Sequence, residues 1–590
     1  MRLNIIPNFG KSLYFGKKTP FIIPLNSLTR RVNVHEMFVF SCCKIKNMKR
    51  LIVFLTLSFL FSACYKGEDA DLVVYNARIH TMDKSNKVVN AMAIKDGKIL
   101  ETGPEREIRN KYSAVEELNA ENKTIYPGLH DAHGHIFGQI KMDLQCELTG
   151  STSYAQMITR IEKYINKYNV DIVVARGWDQ SIWGESELPT NEKLNDAFPD
   201  QAVVCTRVDG HSMLINEAAV KFLKLNLDTL IEGGEVHKEN GEFTGILLDN
   251  AMNLVYNKLP EISKEIQKEA IKKIQNRLLE YGITNVHEAG ISMEQFKILD
   301  EMASNGELKI GIYAMLFPSD EALEFFAKEG HYQNGNLKVR SIKIIGDGAL
   351  GSRGACLVHP YNDHAGNGFL TTSLEDLKRI AKFAKAHNIQ VNTHCIGDST
   401  NRNLLHLIDT LMQDKQDHRW RIEHAQVIHE NDIELFAKSG AIPSVQPTHA
   451  LSDMRWAKYR LGDERLENSA YLYKSLMQQG NIIAFGTDFP IENYNPFLTM
   501  HAAIQRKNAE NLPEDGFMVD EAVSLDNCMR AMTIWAAIAS FQEDKLGSLE
   551  KNKDASFVIL DYPLTETGDY KPNNAWKTVV KGKTVFSLEL

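Results

Sequence analysis

Short runs of alternating apolar and polar residues mark both ends of this chain, and a different pattern fills the middle. From about Ala70 to Tyr126, Asp71-Leu72-Val73-Val74-Tyr75 and Ala91-Met92-Ala93-Ile94 lead into the turn Lys95-Asp96-Gly97-Lys98, which predicts short antiparallel strands. Residues 541–590 repeat the style in Ala555-Ser556-Phe557-Val558-Ile559-Leu560 and in Lys577-Thr578-Val579-Val580 before Lys581-Gly582-Lys583. Neither end has enough strands to close a core alone. The two ends, 70–126 and 541–590, are therefore expected to pair into one small β-sandwich.

Between them, over 127–540, runs rich in β-branched residues such as Val339 to Ile345 and Ile482 to Phe485 are separated by amphipathic helical stretches such as Leu374 to His387. Strands alternating with helices imply a parallel sheet, and this many repeats favour a closed (β/α)8 TIM-like barrel. The stretch Gly233 to Asp249 is Gly-rich and strand-like, and is expected to be a β flap inserted near 230–250.

Residues 1–63 are set apart as a leader: Met48-Lys49-Arg50 and the uncharged run Leu51 to Ala63 resemble the first two regions of a secretory signal. The run is too short to span a bilayer as a mature helix. Leu60-Phe61-Ser62-Ala63-Cys64 resembles a bacterial lipobox, so cleavage before Cys64, a lipid anchor on Cys64 and export to the cell envelope (periplasm or outer membrane) are expected. An ordinary cleaved signal with an incidental cysteine is the alternative.

At 43% hydrophobic and 24% charged residues, the chain has the composition of a folded globular protein. The leader holds ten Lys/Arg and one Glu, so its removal moves the formal charge from −9 to −18. Nucleic acid is excluded as a partner by that acidity, since phosphate binding needs a basic footprint. Outside the leader and Cys64, Cys146, Cys205, Cys356, Cys395 and Cys528 are dispersed without Cys-x-x-Cys spacing, which fits buried thiols rather than a disulfide frame or a zinc-thiolate site.

The sharpest local signal is Pro127-Gly128-Leu129-His130-Asp131-Ala132-His133-Gly134-His135. His133 and His135 are two apart, which on a strand directs both imidazoles to one side, where they can share a divalent cation. His394 ends the predicted strand Val391-Asn392-Thr393-His394, His424 ends Arg421-Ile422-Glu423-His424, and Asp488 follows Ala484-Phe485-Gly486-Thr487. Polar residues that close apolar strands gather at one mouth of a (β/α)8 barrel.

Together these stretches resemble the amidohydrolase superfamily, and within it the branch called amidohydrolase family 3, which includes the N-substituted formamide deformylases. The resemblance runs from about residue 70 to the C-terminus and includes Gly177-Trp178-Asp179-Gln180, Asp209-Gly210-His211, Ile344-Ile345-Gly346-Asp347-Gly348, Ser444-Val445-Gln446-Pro447-Thr448-His449 and Phe485-Gly486-Thr487-Asp488-Phe489-Pro490. It implies that His133 and His135 hold the more buried metal with Asp488, that His394 and His424 hold a second, and that Lys343, as a carboxylated lysine, bridges the two. An unmodified ammonium cannot ligate a cation, whereas its carbamate offers two oxygens and a negative charge. A lysine salt-bridged at the strand end is the alternative, and the site then takes one metal.

With these ligands, the resemblance implies hydrolysis of a small-molecule substrate at a non-peptide C–N bond (amide, formamide or cyclic amide), with Asp488 as the expected general base. Zinc suits an imidazole-rich, oxygen-supplemented site best; iron, manganese and cobalt are compatible with the same ligands. Trp178, His211 and His449 are the substrate-pocket candidates. Asp347 and Arg353 are expected to organise the loop after Lys343. Ester or lactone cleavage on the same site, or a lipid-anchored solute-binding protein without chemistry, are the alternatives, and a homodimer is compatible with the sequence.

Overall fold

The computed structural model describes residues 67–588 apart from Asn169, Pro260, Glu261, Lys415, Gln416, Asp569 and 571–573. The leader and Cys64 lie outside the described residues. The barrel strands are β1 (Leu129–Gly134), β2 (Ile283–Ile291), β3 (Gly311–Leu316), β4 (Leu337–Ile345), β5 (Gln390–Cys395), β6 (Arg421–His424), β7 (Ile442–Val445) and β8 (Ala484–Phe485). Each pairs in parallel with the next, from β1 with β2 to β7 with β8. The result is a nearly closed (β/α)8 TIM-like barrel.

Closure is made by the chain just after β8. The Asp488 amide donates to the His133 carbonyl at 2.7 Å, and the His135 amide donates to the Phe489 carbonyl at 2.8 Å. Gly486 permits the approach: a Cβ there would sit 2.4 Å from the His133 amide nitrogen. Every residue of β1, β5, β6 and β7 is buried, because side chains fill the barrel inside and helices cover it outside. The helix Leu374–His387 shows how its neighbours are punctuated: the Ser373 hydroxyl accepts from the Asp376 amide, and Asn388 turns into the left-handed region to end it.

The two ends of the chain form two sheets. One holds, in order, Lys98–Gly103, Ala91–Lys95, Glu68–Tyr75 and Tyr112–Asn119; the other holds Lys583–Ser587, Ala575–Val580, Phe557–Leu560, Thr124–Pro127, Arg78–His80 and Val88–Val89. Phe557–Leu560 pairs antiparallel with Thr124–Pro127, which joins the C-terminal strands to the N-terminal ones. Leu72, Val74, Met92 and Ile94 pack with Phe557, Ile559 and Val579 in one core. Both hairpin turns have two left-handed residues, Asp96-Gly97 (φ 51° and 73°) and Lys581-Gly582 (φ 48° and 74°), the geometry that matches strand twist.

The flap expected near 230–250 is present as the hairpin Gly234–Glu239 and Glu242–Asp249, but it is the edge of a much larger insertion between β1 and β2. That insertion carries a six-stranded sheet that also contains Cys146–Glu147, Ile172–Trp178, Ala202–Arg207 and Ser212–Ile215. Ile172–Trp178 and Ala202–Arg207 pair in parallel and have apolar clusters on both sides, so they read along the chain like two more barrel strands.

Candidate metal centre

His133, His135, Lys343, His394, His424 and Asp488 come together at the carboxyl ends of β1, β4, β5, β6 and β8. His133 Nε2 lies 3.4 Å and His135 Nε2 2.9 Å from Asp488 Oδ1. Ligand atoms of His133, His424 and Asp488 all fall within 4.8 Å of one another. Ring centroids of His133 and His424 are 4.8 Å apart, and those of His394 and His424 are 4.5 Å apart. Lys343 Nζ is 3.2 Å from His133 Nε2.

Protonation follows from the surroundings. His133 Nδ1 donates to Glu423 Oε2 at 2.5 Å, which leaves the Nε2 lone pair aimed at Asp488 and Lys343. His424 Nδ1 is likewise engaged, by Gln446 Oε1 at 2.8 Å. Burial, and after it the neighbouring cations and imidazoles, hold His133, His394 and His424 well below the usual histidine pKa, so their rings are neutral. Burial alone would raise the Asp488 carboxyl, but the imidazoles of His135, at 2.9 Å, and His449, at 3.6 Å, outweigh it and keep Asp488 below the usual carboxylate range. Burial also pushes the Lys343 amine down to about 8.

Such a set fits a divalent cation. The buried atoms His394 Nε2 and Asp488 Oδ1 have no hydrogen-bond partner. Asp488 Oδ1 is nevertheless crowded by two imidazole nitrogens, an arrangement of electron pairs that a shared cation stabilises. Backbone geometry agrees with a demanding site: His424 (φ 72°) and Asp488 (φ 59°) both occupy the left-handed region, which costs a non-glycine residue about 1–3 kcal/mol.

Lys343 has no carboxylate within ion-pair distance among the described residues; its near polar neighbour is His133. The salt-bridged reading of this lysine therefore lacks its partner. Asp347 organises the loop after β4 by accepting from the Ile396, Gly397 and Cys356 amides and the Thr400 hydroxyl. Arg353 pairs with Asp363 at 3.2 Å.

Of the pocket candidates, two stand beside the metal ligands. His211 is 5.5 Å, ring to ring, from His394, and its Nδ1 is 2.7 Å from Asp249 Oδ1. His449 Nε2 is 3.6 Å from Asp488 Oδ2, and its ring stacks with His424 at 5.9 Å. Trp178 is a correction. It is 0% exposed, packs in the core of the inserted sheet with Leu148, Val173 and Leu214, and donates Nε1–H to the Cys205 carbonyl at 2.7 Å. Its neighbours Gly177 and Asp179 line the cavity instead. A bulge is the physical reason: the pairing register shifts between Arg176 and Trp178 and Gly177 takes φ 104°, so Trp178 leaves the cavity side on which Arg176 stands and joins Val173 and Ala175 in the core.

Four supporting residues were not singled out from the sequence. Glu423 holds His133 and is itself held by Arg421 Nη2 at 2.9 Å; Gln446 orients His424; Asp249 orients His211. Glu288 on β2 accepts from the Ile136 and Phe137 amides at 2.5 and 3.2 Å, fixing the chain just after His135. Glu423 and Gln446 fall inside quoted motifs and could have been suspected, but Asp249 and Glu288 gave no local signal. His287, unassigned from sequence, lies with Nδ1 2.9 Å from Arg421 Nη1.

The cavity over these ligands has a volume of about 980 Å³ and is roofed by the insertion. It is large enough for a drug-sized organic molecule.

Comparison with known proteins agrees with this fold. The amidohydrolase family pattern matches residues 116–586. The chain is 30% identical to Protein LONG AFTER FAR-RED 3 of Arabidopsis thaliana over 84% of this chain and 88% of that protein. It is 24% identical to an N-substituted formamide deformylase of Arthrobacter pascens over 87% of this chain and 97% of that protein. Among solved structures, an uncharacterized metal-dependent hydrolase from Pyrococcus horikoshii superposes with a TM-score of 0.69 at 26% identity, covering 85% of this chain and 99% of that one. A barrel rim that gathers four histidines, a lysine and an aspartate, together with a family match over most of its length, places this chain in the amidohydrolase family of metal-dependent hydrolases.

Proposed function

We propose that this chain hydrolyses a carbon–nitrogen bond other than an ordinary peptide bond, in an amide, formamide or cyclic amide, with Asp488 as general base. The observation that supports this reading is Asp488 itself: an ionised carboxylate flanked by the imidazoles of His133, His135 and His449 at the floor of a large cavity. A divalent cation, zinc by ligand type, held by His133, His135, His394, His424 and Asp488 would supply Lewis acidity, lowering the pKa of water from about 15.7 toward about 7. Lys343, carboxylated on its neutral amine, would bridge two such ions.

Asp488 accepts a proton from the attacking water and returns it to the leaving nitrogen as the C–N bond breaks. His211 and His449 would donate to the carbonyl oxygen as charge develops there. Asp249 holds His211 by Nδ1, so its Nε2 is the atom free to do so. Elemental analysis after purification with metal supplementation, joined to assays on small N-acyl compounds, tests the reading. Bound metal and turnover that collapses in Asp488→Asn are expected; no metal, or undiminished turnover in that variant, would refute it.

Export and a lipid anchor on Cys64 are part of the same proposal and rest on the Met48–Cys64 text. Among the described residues no helix is long and apolar enough to cross a membrane. Labelling with a radioactive fatty acid checks the anchor: wild-type protein takes up label and Cys64→Ala does not.

A further inference from the structure

Lys141 and Arg176 line the same cavity as the metal ligands, where the barrel meets the inserted sheet. Lys141 stands on the helix Ile136–Asp143, which starts directly after His135. Six residues of helix place it about 9 Å along the axis from His135. Its ammonium lies 5.7 Å from the ring centroid of Tyr256, and the Tyr256 hydroxyl is 3.3 Å from Thr206 Oγ1. Both of those hydroxyl-bearing residues line the cavity as well.

Arg176, on the inserted strand Ile172–Trp178, donates Nη2–H to the Val208 carbonyl at 3.0 Å. Its guanidinium lies over Gly210, where a Cβ would come within 3.3 Å of both terminal nitrogens. Gly210 has φ 78° and immediately precedes His211, so this guanidinium is next door to the candidate catalytic centre.

What sets these two cations apart is the lack of an acidic partner among the described residues. Arg207 and Arg455, which line the same cavity, are both held by Asp179, at 2.9 and 3.5 Å, and Arg207 also by Asp209 at 2.7 Å. Burial, and after it the like charge of Arg176, lowers the Lys141 ammonium from its usual pKa. Two cations facing one cavity, with hydroxyl donors beside them and no carboxylate paired to either among the described residues, form a site that an anion completes.

We propose that the substrate carries a carboxylate bound between Lys141 and Arg176, which makes it an N-acyl amino acid or a related N-acyl acid rather than a neutral N-alkyl amide. The inference rests on the hydrolytic reading of the metal centre for its choice of acyl compound. Arg176 supplies a planar fork of donors suited to a carboxylate, and Lys141 supplies a compact charge. A phosphonate or phosphate shares this chemistry, so the test must separate the two.

The test is calorimetric binding to metal-loaded Asp488→Asn protein, which makes binding readable without turnover. The ligands are a panel of N-formyl amino acids, their neutral methyl esters and their phosphonate analogues. At least one acid is expected to bind about tenfold or more tightly than its ester, and the preference should fall to about one in Lys141→Gln/Arg176→Gln and persist in Lys141→Arg. Should the glutamine variant fail to fold, ionic strength decides: the acid's affinity falls with added salt and the ester's does not. Equal binding of every acid and ester, a preference that survives the glutamine variant, or a phosphonate favoured over its carboxylate would each overturn the proposal. Absence of turnover in the wild-type enzyme would instead refute the hydrolytic reading, a separate result.

Discussion

Glu423 Oε2 accepts the Nδ1 proton of His133 at 2.5 Å, and both side chains are fully buried. A carboxylate there fixes the ring's tautomer and raises the basicity of its ligating nitrogen. Arg421 in turn spans Glu423, the Ser444 hydroxyl and the Ala132 carbonyl, so β6 braces the end of β1 from inside the barrel. Glu423→Gln should weaken metal affinity by about 10- to 100-fold, read by competition with a chelator. An unchanged metal affinity would mean that Glu423 serves only to neutralise Arg421.

His211 and Asp249 both come from the insertion, yet they face the metal ligands of the barrel. His211→Asn is expected to lower kcat/KM by about 10²- to 10⁴-fold while metal content stays at the wild-type level. Asp249→Asn should fall in the same direction but less far, because it leaves the histidine in place. Loss of metal in either variant would make them ligand supports instead of substrate contacts.

Trp178 separates the packing reading from the pocket reading. Its indole is sealed in the inserted sheet and its one polar atom is satisfied by Cys205. Trp178→Ala should cost about 3–5 kcal/mol in denaturant unfolding, and Trp178→Phe should lose about 1 kcal/mol with the lost hydrogen bond. KM is expected to be unchanged in Trp178→Phe, and a rise confined to KM with no loss of stability would return this residue to the cavity wall.

Glu288 gives a pH signature. Burial pushes its carboxyl up to about 8, against an ordinary value of 4.5, despite two backbone amides that favour the ionised form. Between those pH values the folded chain keeps a proton that the unfolded chain has lost, so this group's contribution to stability is present below pH 4.5 and is lost as pH rises toward 8. The slope from one such proton is at most about 1.4 kcal/mol per pH unit. Thermal melts of Glu288→Gln should show a flatter decline over that window than the wild type. Parallel curves would show that Glu288 does not titrate there.

The barrel and the side chains gathered at its rim were legible because strand ends that finish in His133, His394, His424 and Asp488 keep a polar residue where apolar text stops. The paired ends were legible for a different reason: Asp96-Gly97 and Lys581-Gly582 announce tight hairpins, and their strands lack partners nearby. The inserted sheet was mostly hidden. Ile172–Trp178 and Ala202–Arg207 are covered on both faces and carry the same unbroken apolar run as a barrel strand. Asp249 and Glu288 were hidden too, since each acts through a contact with a segment distant along the chain: Asp249 on His211, 38 residues away, and Glu288 on Ile136, 152 residues away. Trp178 was misplaced because its motif borders the cavity and a bulge at Gly177, which no local pattern announces, turns the residue after it into the core.

The most direct test is a crystal structure of the metal-supplemented protein with anomalous scattering collected at the edge of the metal found by elemental analysis. The account predicts a strong anomalous peak within bonding distance of His133 Nε2, His135 Nε2 and Asp488, and a second near His394 and His424 if Lys343 is carboxylated. An active, metal-containing crystal with no peak among these side chains would contradict it.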